Sequence, residues 1–503
     1  MASKEFRLPL AGSYTNRVSA VNALDTSSGY VGVGIVGVMI VGATSESTNK
    51  DQRFVNCFSE TIVDAVTGQK TIYSVKRPGW GTNNTPSAGN VGNAIFVWTG
   101  GSGGIDAISS FGGTNSTIYN GTSSLGAITG KCTGISETFV SATATLTVSS
   151  TDSTGWYYDT GVAVMTRITD VDFPGNAGKT LAGTFAHLDG YPVIMTTDGV
   201  LWAGDLNTVT AWTSTSFGSA NSYSDRGIGC VRHKNFIMAF GTESIEFFYN
   251  AGTTPFPFAK NQSMTVKVGA ISADAIAQIA DTTFWAGSTP QSGLSIFQYD
   301  NGINRISTPE IDSILILAGA SNVSLTTLRV LGRSFVVVLA SSTTLVYCLE
   351  EKSWHEWTGT TILWYKCAGV SIGGTMVNYC VSKASTSGKV YIQNQASLTF
   401  VDDSVAYSAR AQLKLVDFGT QNRKFWEEVR LVCDVEPSST ATLSYTDDDY
   451  NTYTTHGTLD LSAPYPRATR LGSSRRRGWV VEHSSNTPFR AECLEGRASI
   501  GTG

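Results

Sequence analysis

Residues 226–252 read RGIGCVRHKNFIMAFGTESIEFFYNAG, and their pattern decides the fold of the rest. Val231 and then residues 236–240 make an apolar strand, residues 241–243 turn the chain, and residues 245–249 run back with alternating and aromatic side chains. Short runs of Val, Ile, Phe and Tyr between Gly, Thr and Asn suit a half-buried antiparallel pair, where branched and aromatic side chains pack against cross-strand neighbours. The stretch predicts a β-hairpin.

The same aromatic return strand recurs along the chain. Tyr119, Tyr158, Trp202, Phe247, Phe297, Tyr347 and Tyr391 each sit near a turn rich in Gly, Ser, Thr or Asp; subtracting neighbouring numbers gives spacings of 39, 44, 45, 50, 50 and 44 residues. A period in the forties built from strands and turns is that of a β-propeller, whose blades hold about four strands and roughly 40 to 50 residues. One blade cannot bury both faces of its sheet, so blades stack in a ring and protect each other. The expected fold is all-β: a β-propeller of six or seven blades over residues 91–404, with a C-terminal β-sandwich over residues 405–503. Alternation in residues 411–416, 428–432, 441–445 and 479–481 marks the sandwich strands. Residues 1–90 lack the blade pattern and form a third region of strands, ending in a turn at Pro78 and Gly79.

Length agrees only if the ring counts as one unit, since 503 residues at roughly 150 per domain would make about three. Charged residues are only 15% while Gly numbers 52, which favours tight turns over long charged helices. The nearest helical candidate, ISADAIAQIA at residues 271–280, is short, amphipathic and expected to connect strands. A formal charge of −5 argues against tight DNA binding, which draws its affinity from a basic face, yet permits a channel through which DNA slides. The eight cysteines show no CxxC and sit mostly in apolar runs, as buried thiols reduced in a cytoplasm do. The opening MASKEFRLPLAG lacks the apolar core of a secretion signal. Residues 30–43, YVGVGIVGVMIVGA, are apolar throughout, but 14 residues fall short of the roughly 20 of a spanning helix. They read as a buried or interface strand, without stable membrane insertion.

Catalytic chemistry is thinly represented. The histidines, His187, His233, His355, His456 and His483, are far apart and none opens an HExxH pattern. GNAGKT at residues 175–180 ends like a phosphate-binding loop, but Phe173 stands where the first Gly is required. GGSGG at residues 100–104 is a flexible Gly run, and STDSTGW at residues 150–156 misplaces the Gly of a sialidase-type box. Glu350 with Glu351, and Asp402 with Asp403, are adjacent and so point to opposite faces of a strand, reading as solvated turn charges. No catalytic, cofactor-binding or metal site is expected, and the chain does not read as an enzyme. The one strong charge cluster is Arg475, Arg476 and Arg477, three guanidiniums suited to an acidic surface.

Several stretches together resemble one family. RLPLAGSYTNR from Arg7, DQRFVNCFSE from Asp51, KRPGWG from Lys76, the hairpin from Gly227 and LGSSRRRGWVV from Leu471 look, in this order, like the tail hub or nozzle proteins of short-tailed phages, the packaged-DNA stabilisation proteins. Residues 18–48 depart from that pattern as an insertion. The resemblance implies a structural subunit of the virion tail, assembled in the host cytoplasm as a homo-hexamer below the portal. It implies a tail adaptor as one partner, with residues 1–90 expected to contact the adaptor or a neighbouring copy, and tail fibre, spike or needle proteins as others. DNA would pass through the bore without sequence-specific binding, and no cofactor or catalytic residue comes with the family. The Arg475 to Arg477 cluster is then expected to face a neighbouring subunit or tail protein. The rival reading is a glycan-binding or glycoside-cleaving propeller, with Trp202, Trp354 and Trp357 stacking on sugars.

Overall fold

A computed structural model describes residues 2–10, 52–63, 68–101, 104–140, 143–220, 222–223, 225–289, 293–359, 362–383 and 387–501. The insertion at residues 18–48, with its apolar stretch at 30–43, lies outside the described residues. The chain forms two compact units: residues 80–344 with 361–398, and residues 1–79 with 345–360 and 399–503.

The first unit is the propeller. Six four-stranded antiparallel sheets form its blades, over residues 92–128, 132–167, 181–219, 227–266 and 276–305, and over residues 364–394 joined by Gly81–Asn84. The antiparallel pair Val323–Val330 and Arg333–Ala340 takes a seventh place in the ring. The hairpin that opened the sequence reading is the middle of the fourth blade, Phe236–Gly241 paired with Ile245–Asn250. Its aromatic Phe247 is fully buried, worth about 2 to 3 kcal/mol of transfer from water. Six of the seven repeating aromatics fall on the third strands of the six blades, and the seventh, Tyr347, is on Thr343–Cys348.

Contacts between blades run all the way round. The Cys132 amide donates to Ser116 Oγ at 2.9 Å, linking the second blade to the first. Thr133 Oγ1 donates to the Gly183 carbonyl at 3.1 Å, from second to third. Gly183 has φ +73° and lies so close to the fourth blade that an added Cβ would be 3.1 Å from Gly229 Cα, so only glycine fits without strain. His233 Nδ1 is 2.9 Å from Thr283 Oγ1, fourth to fifth, and Thr327 Oγ1 donates to the Gln278 carbonyl at 2.8 Å, from the pair to the fifth. The Cys367 amide donates to Thr326 Oγ1 at 2.8 Å, and Val381 and Val390 of the last blade share a core with Ile95 and Phe111 of the first. The ring is closed.

Closure uses a strand from the other end of the sequence. Gly81, Thr82 and Asn84 pair with Ile392, Tyr391 and Val390 as the outer strand of the last blade. ISADAIAQIA is not a helical connector: it makes one 3-10 turn at Ala273–Ala275 and then becomes the inner strand Ile276–Ile279 of the fifth blade. Pairing with Thr282–Thr289 overrides its weak amphipathic pattern. The α-helix lies elsewhere, at Pro309–Ala318, where Pro in the first turn starts it and Gly319 at φ +79° ends it.

The second unit is a two-sheet sandwich, and here the expected boundaries change. In one sheet Lys424–Cys433 and Ala2–Pro9 both pair with Arg490–Ile500, which also meets Lys70–Lys76. In the other, Ser353–Trp357, Arg53–Val55, Ala409–Gln412, Gly478–His483, Thr440–Thr446 and Thr454–Asp460 follow in order. Leu8, Phe54, Leu431, Leu443, Trp479 and Leu494 fill one core between them. The strands Ala2–Pro9, Arg53–Val55 and Lys70–Lys76 are therefore part of the sandwich, because Ala2–Pro9 and Arg53–Val55 satisfy edges that the C-terminal strands would leave bare.

A buried arginine ties this unit's distant segments together. Arg77 Nη1 donates to Asp402 Oδ1 at 3.0 Å, its Nε to Asn56 Oδ1 at 2.9 Å and its Nη2 to the Thr358 carbonyl at 3.0 Å, while Tyr407 Oη donates to the Arg77 carbonyl. Asp402 is thus no solvated turn charge; both side chains are at most 1% exposed. Gly79, two residues on, leaves no room for a side chain, since an added Cβ would lie 2.0 Å from the Val401 carbonyl oxygen. Removing one partner of a buried pair strands the other charge. Asp402→Asn should therefore cost the sandwich about 3 to 5 kcal/mol in denaturant unfolding. The double change Arg77→Met with Asp402→Leu should cost less than Asp402→Asn alone; a larger loss would mean that the pair itself, rather than the stranded charge, sets the penalty.

Two histidines in the same unit are buried neutral. Burial pushes His355 down to about 3, opposed by Glu351, and pushes His483 down to about 4, helped by the nearby Lys76 ammonium. His483 Nε2 meets Ser439 Oγ at 2.8 Å. In the unfolded chain both titrate near 6.5, so below that pH the unfolded state binds more protons and stability rises with pH. Sandwich stability should fall as pH drops from about 7 towards 4, with a steeper loss in wild type than in His483→Gln; equal slopes by urea titration would remove His483 as a source.

Candidate functional site at the propeller mouth

Every blade has four strands that alternate in direction, so every inner strand starts on the same face of the ring. Residues at those starts therefore converge on one mouth, however far apart they are in sequence. Lys131 precedes the inner strand Cys132–Val140 of the second blade, Asp274 precedes Ile276–Ile279 of the fifth, and Tyr365 and Lys366 open Trp364–Ile372 of the last. Lys383 follows Thr375–Ser382, the second strand of that last blade, which ends on the same face.

These side chains meet around one ring. Lys366 Nζ pairs with Asp274 Oδ1 at 3.1 Å and Tyr365 Oη donates to Asp274 Oδ2 at 2.6 Å, so both carboxylate oxygens are engaged. The ammoniums of Lys131, Lys366 and Lys383 lie 5.9, 5.3 and 5.2 Å from the Tyr365 ring centroid. Burial raises the carboxyl of Asp274, but Lys366, Tyr365 and Lys131 outweigh it and hold the group below its ordinary range. Burial and the carboxylate of Asp274 push the Tyr365 hydroxyl well above its ordinary value. Burial lowers Lys383, and repulsion from Lys131 and Lys366 acts in the same direction against the attraction of Asp274.

Next to the cluster lies a cavity of about 170 Å³, lined by Lys366 itself and by small residues including Ala94, Gly134, Gly183, Gly229 and Ala273, with Cys367. That is room for a handful of waters at about 30 Å³ each. The arrangement has little capacity for bond-making chemistry. Tyr365 stays protonated, Lys366 is ion-paired, and burial pushes the flanking thiols of Cys132 and Cys230 up to about 11 and about 12, away from the reactive thiolate. Its capacity is electrostatic: three ammoniums face one carboxylate.

The Arg475 to Arg477 cluster is divided by the fold. Arg475 and Arg476 are exposed, whereas Arg477 is 2% exposed, donating from Nε and Nη2 to Asp447 at 2.7 Å each and lying 3.8 Å over the Tyr445 ring. As a strand-end residue whose partner Asp447 sits in the DDDYN turn, Arg477 is a core ion pair and is corrected from the exposed interface set. The sugar-stacking platform is also overturned, because Trp202, Trp354 and Trp357 are only 8%, 1% and 1% exposed. No sequence signal marked the mouth cluster, since its five residues span residues 131–383.

The fold and this site define an all-β propeller protein with a charged cluster at its mouth. Residues 114–362 match the family model described as bacteriophage P22 Gp10, beta-propeller. The chain belongs to that phage packaged-DNA stabilisation family and is a structural phage protein. Among solved structures, Chaetomium thermophilum Raptor is similar at 12% identity and a TM-score of 0.41, over 63% of this chain and 29% of that one. BBS1N in complex with ARL6DN, soaked with mercury, is similar at 12% identity and a TM-score of 0.40, over 63% and 96%. No curated protein matches.

Arg477→Ala removes a buried cation and leaves Asp447 unpaired, so it should lower sandwich stability by about 2 to 4 kcal/mol. Arg475→Ser with Arg476→Ser should stay within about 0.5 kcal/mol of wild type. Equal denaturant midpoints for the two variants would show that burial of Arg477 contributes nothing.

Proposed function

We propose that this protein is a tail nozzle or hub subunit, six copies of which form a ring below the portal and its adaptor, retain packaged DNA and line the path of its ejection. The observation that carries the reading is the family match across the propeller, residues 114–362. In this reading the DNA bore is built between copies of the chain. A mildly acidic chain suits such a bore, which DNA must leave without sticking. The adaptor above and fibre, spike or needle proteins below are the partners in this reading.

Exposed Arg475 and Arg476 are the proposed contact with an acidic face of a neighbouring subunit or tail protein. They sit in a tight turn, where two guanidiniums reach outward without a carboxylate ion pair of their own among the described residues.

Light scattering of the purified protein with its cognate head-to-tail adaptor should give a mass near six copies plus the adaptor ring. Arg475→Ser with Arg476→Ser should weaken that assembly at least tenfold while leaving the monomer folded. A stable monomer with no affinity for the adaptor would overturn the nozzle reading, and undiminished assembly of the double variant would remove the arginines from it.

A further inference from the structure

Lys131 and Lys383 at the propeller mouth have no assigned role, and their placement is electrostatically costly. Among the described residues neither forms an ion pair, since the carboxylate of Asp274 is already bound on both oxygens by Lys366 and Tyr365. The cluster therefore carries three ammoniums against one carboxylate, a local charge of +2 in a chain whose net charge is −5. Lys131 opens the second blade while Lys366 and Lys383 belong to the last, so the fold, and not chain proximity, brings Lys131 to the other two. Surface lysines ordinarily spread apart to avoid such repulsion. Burial lowers Lys383, and Lys131 and Lys366 add to that effect, so these charges interact.

We infer that the mouth is a binding site for a phosphate-type oxyanion, held by Lys131 and Lys383 with Lys366 behind them. Compact ammoniums on flexible stems suit a tetrahedral anion approached from several sides, and a dianion would balance the local +2. The Asp274 carboxylate is held by Tyr365 and Lys366, and Lys366 also donates to the Asp274 backbone carbonyl. The ligand is a single anionic group at the mouth, either free phosphate or the terminal phosphate of a nucleic-acid strand. The inference does not depend on the nozzle reading and concerns the isolated chain.

The full-length protein is titrated with inorganic phosphate at constant ionic strength, chloride being exchanged for phosphate, and thermal unfolding is followed. Wild type should gain several degrees with saturation at millimolar phosphate, whereas Lys131→Gln with Lys383→Gln should gain none. Without phosphate the double variant should melt at or above the wild-type temperature, because repulsion has been removed; a purely structural role for these lysines would make it melt lower. A competing short single strand with a 5′-phosphate, against the same strand without one, distinguishes the sources: displacement by the phosphorylated strand alone assigns a strand terminus, and displacement by neither assigns free phosphate. Equal phosphate-induced shifts in wild type and double variant, or no shift in wild type, would overturn the site.

Discussion

A sheet edge must be paired, covered or closed, and the propeller meets that requirement with a short strand taken from before its first blade. Gly81–Asn84 completes the last blade, so the ring ends where it began. Once the ring is shut, each blade buries its faces against two neighbours, and short apolar strands such as IFQY and VVVLA become stable although none could fold alone. The mouth also follows from closure. Lys131, Asp274, Tyr365 and Lys366 meet only because the inner strands all start on one face of a complete circle.

The buried arginines show how the sandwich solves a related problem. Its strands come from three separated parts of the chain, and hydrophobic packing alone would tolerate several registers. Arg77 engages Asn56, Thr358 and Asp402, so residues 56, 77, 358 and 402 are held by one guanidinium. Arg477 acts similarly between the Asp447 turn and the aromatic rings of Tyr445, Trp426 and Trp479. Planar, permanently charged and able to stack, arginine performs this better than lysine would. The same three-residue run thus holds one structural cation and two solvent-facing ones, because Arg475 and Arg476 lie in a bend while Arg477 bridges to Val416.

Local pattern made much of the propeller legible. Phe247 and its six counterparts repeat because each third strand is half-exposed to the next blade, a constraint written every forty to fifty residues. Nonlocal pairing was not legible. Nothing in ASKEFRLP announces that it will lie beside Arg490–Ile500, and nothing in Asp402-Asp403 announces Arg77. ISADAIAQIA misled because its spacing fits a short helix while its place in the ring demands a strand. The mouth cluster was invisible for a simpler reason: its residues come from strand ends and a 3-10 turn of three blades far apart in sequence, and only the closed ring brings them together.

Ring closure by Gly81–Asn84 is the claim on which the propeller and its mouth both rest. Native-state hydrogen exchange of the full chain tests it most directly. The paired amides of residues 81–84 and 390–392 should exchange only with the slow global opening that governs the inner strands. Fast, independent exchange at residues 81–84 beside protected inner strands would contradict the account, for the circle would then hold without its clasp.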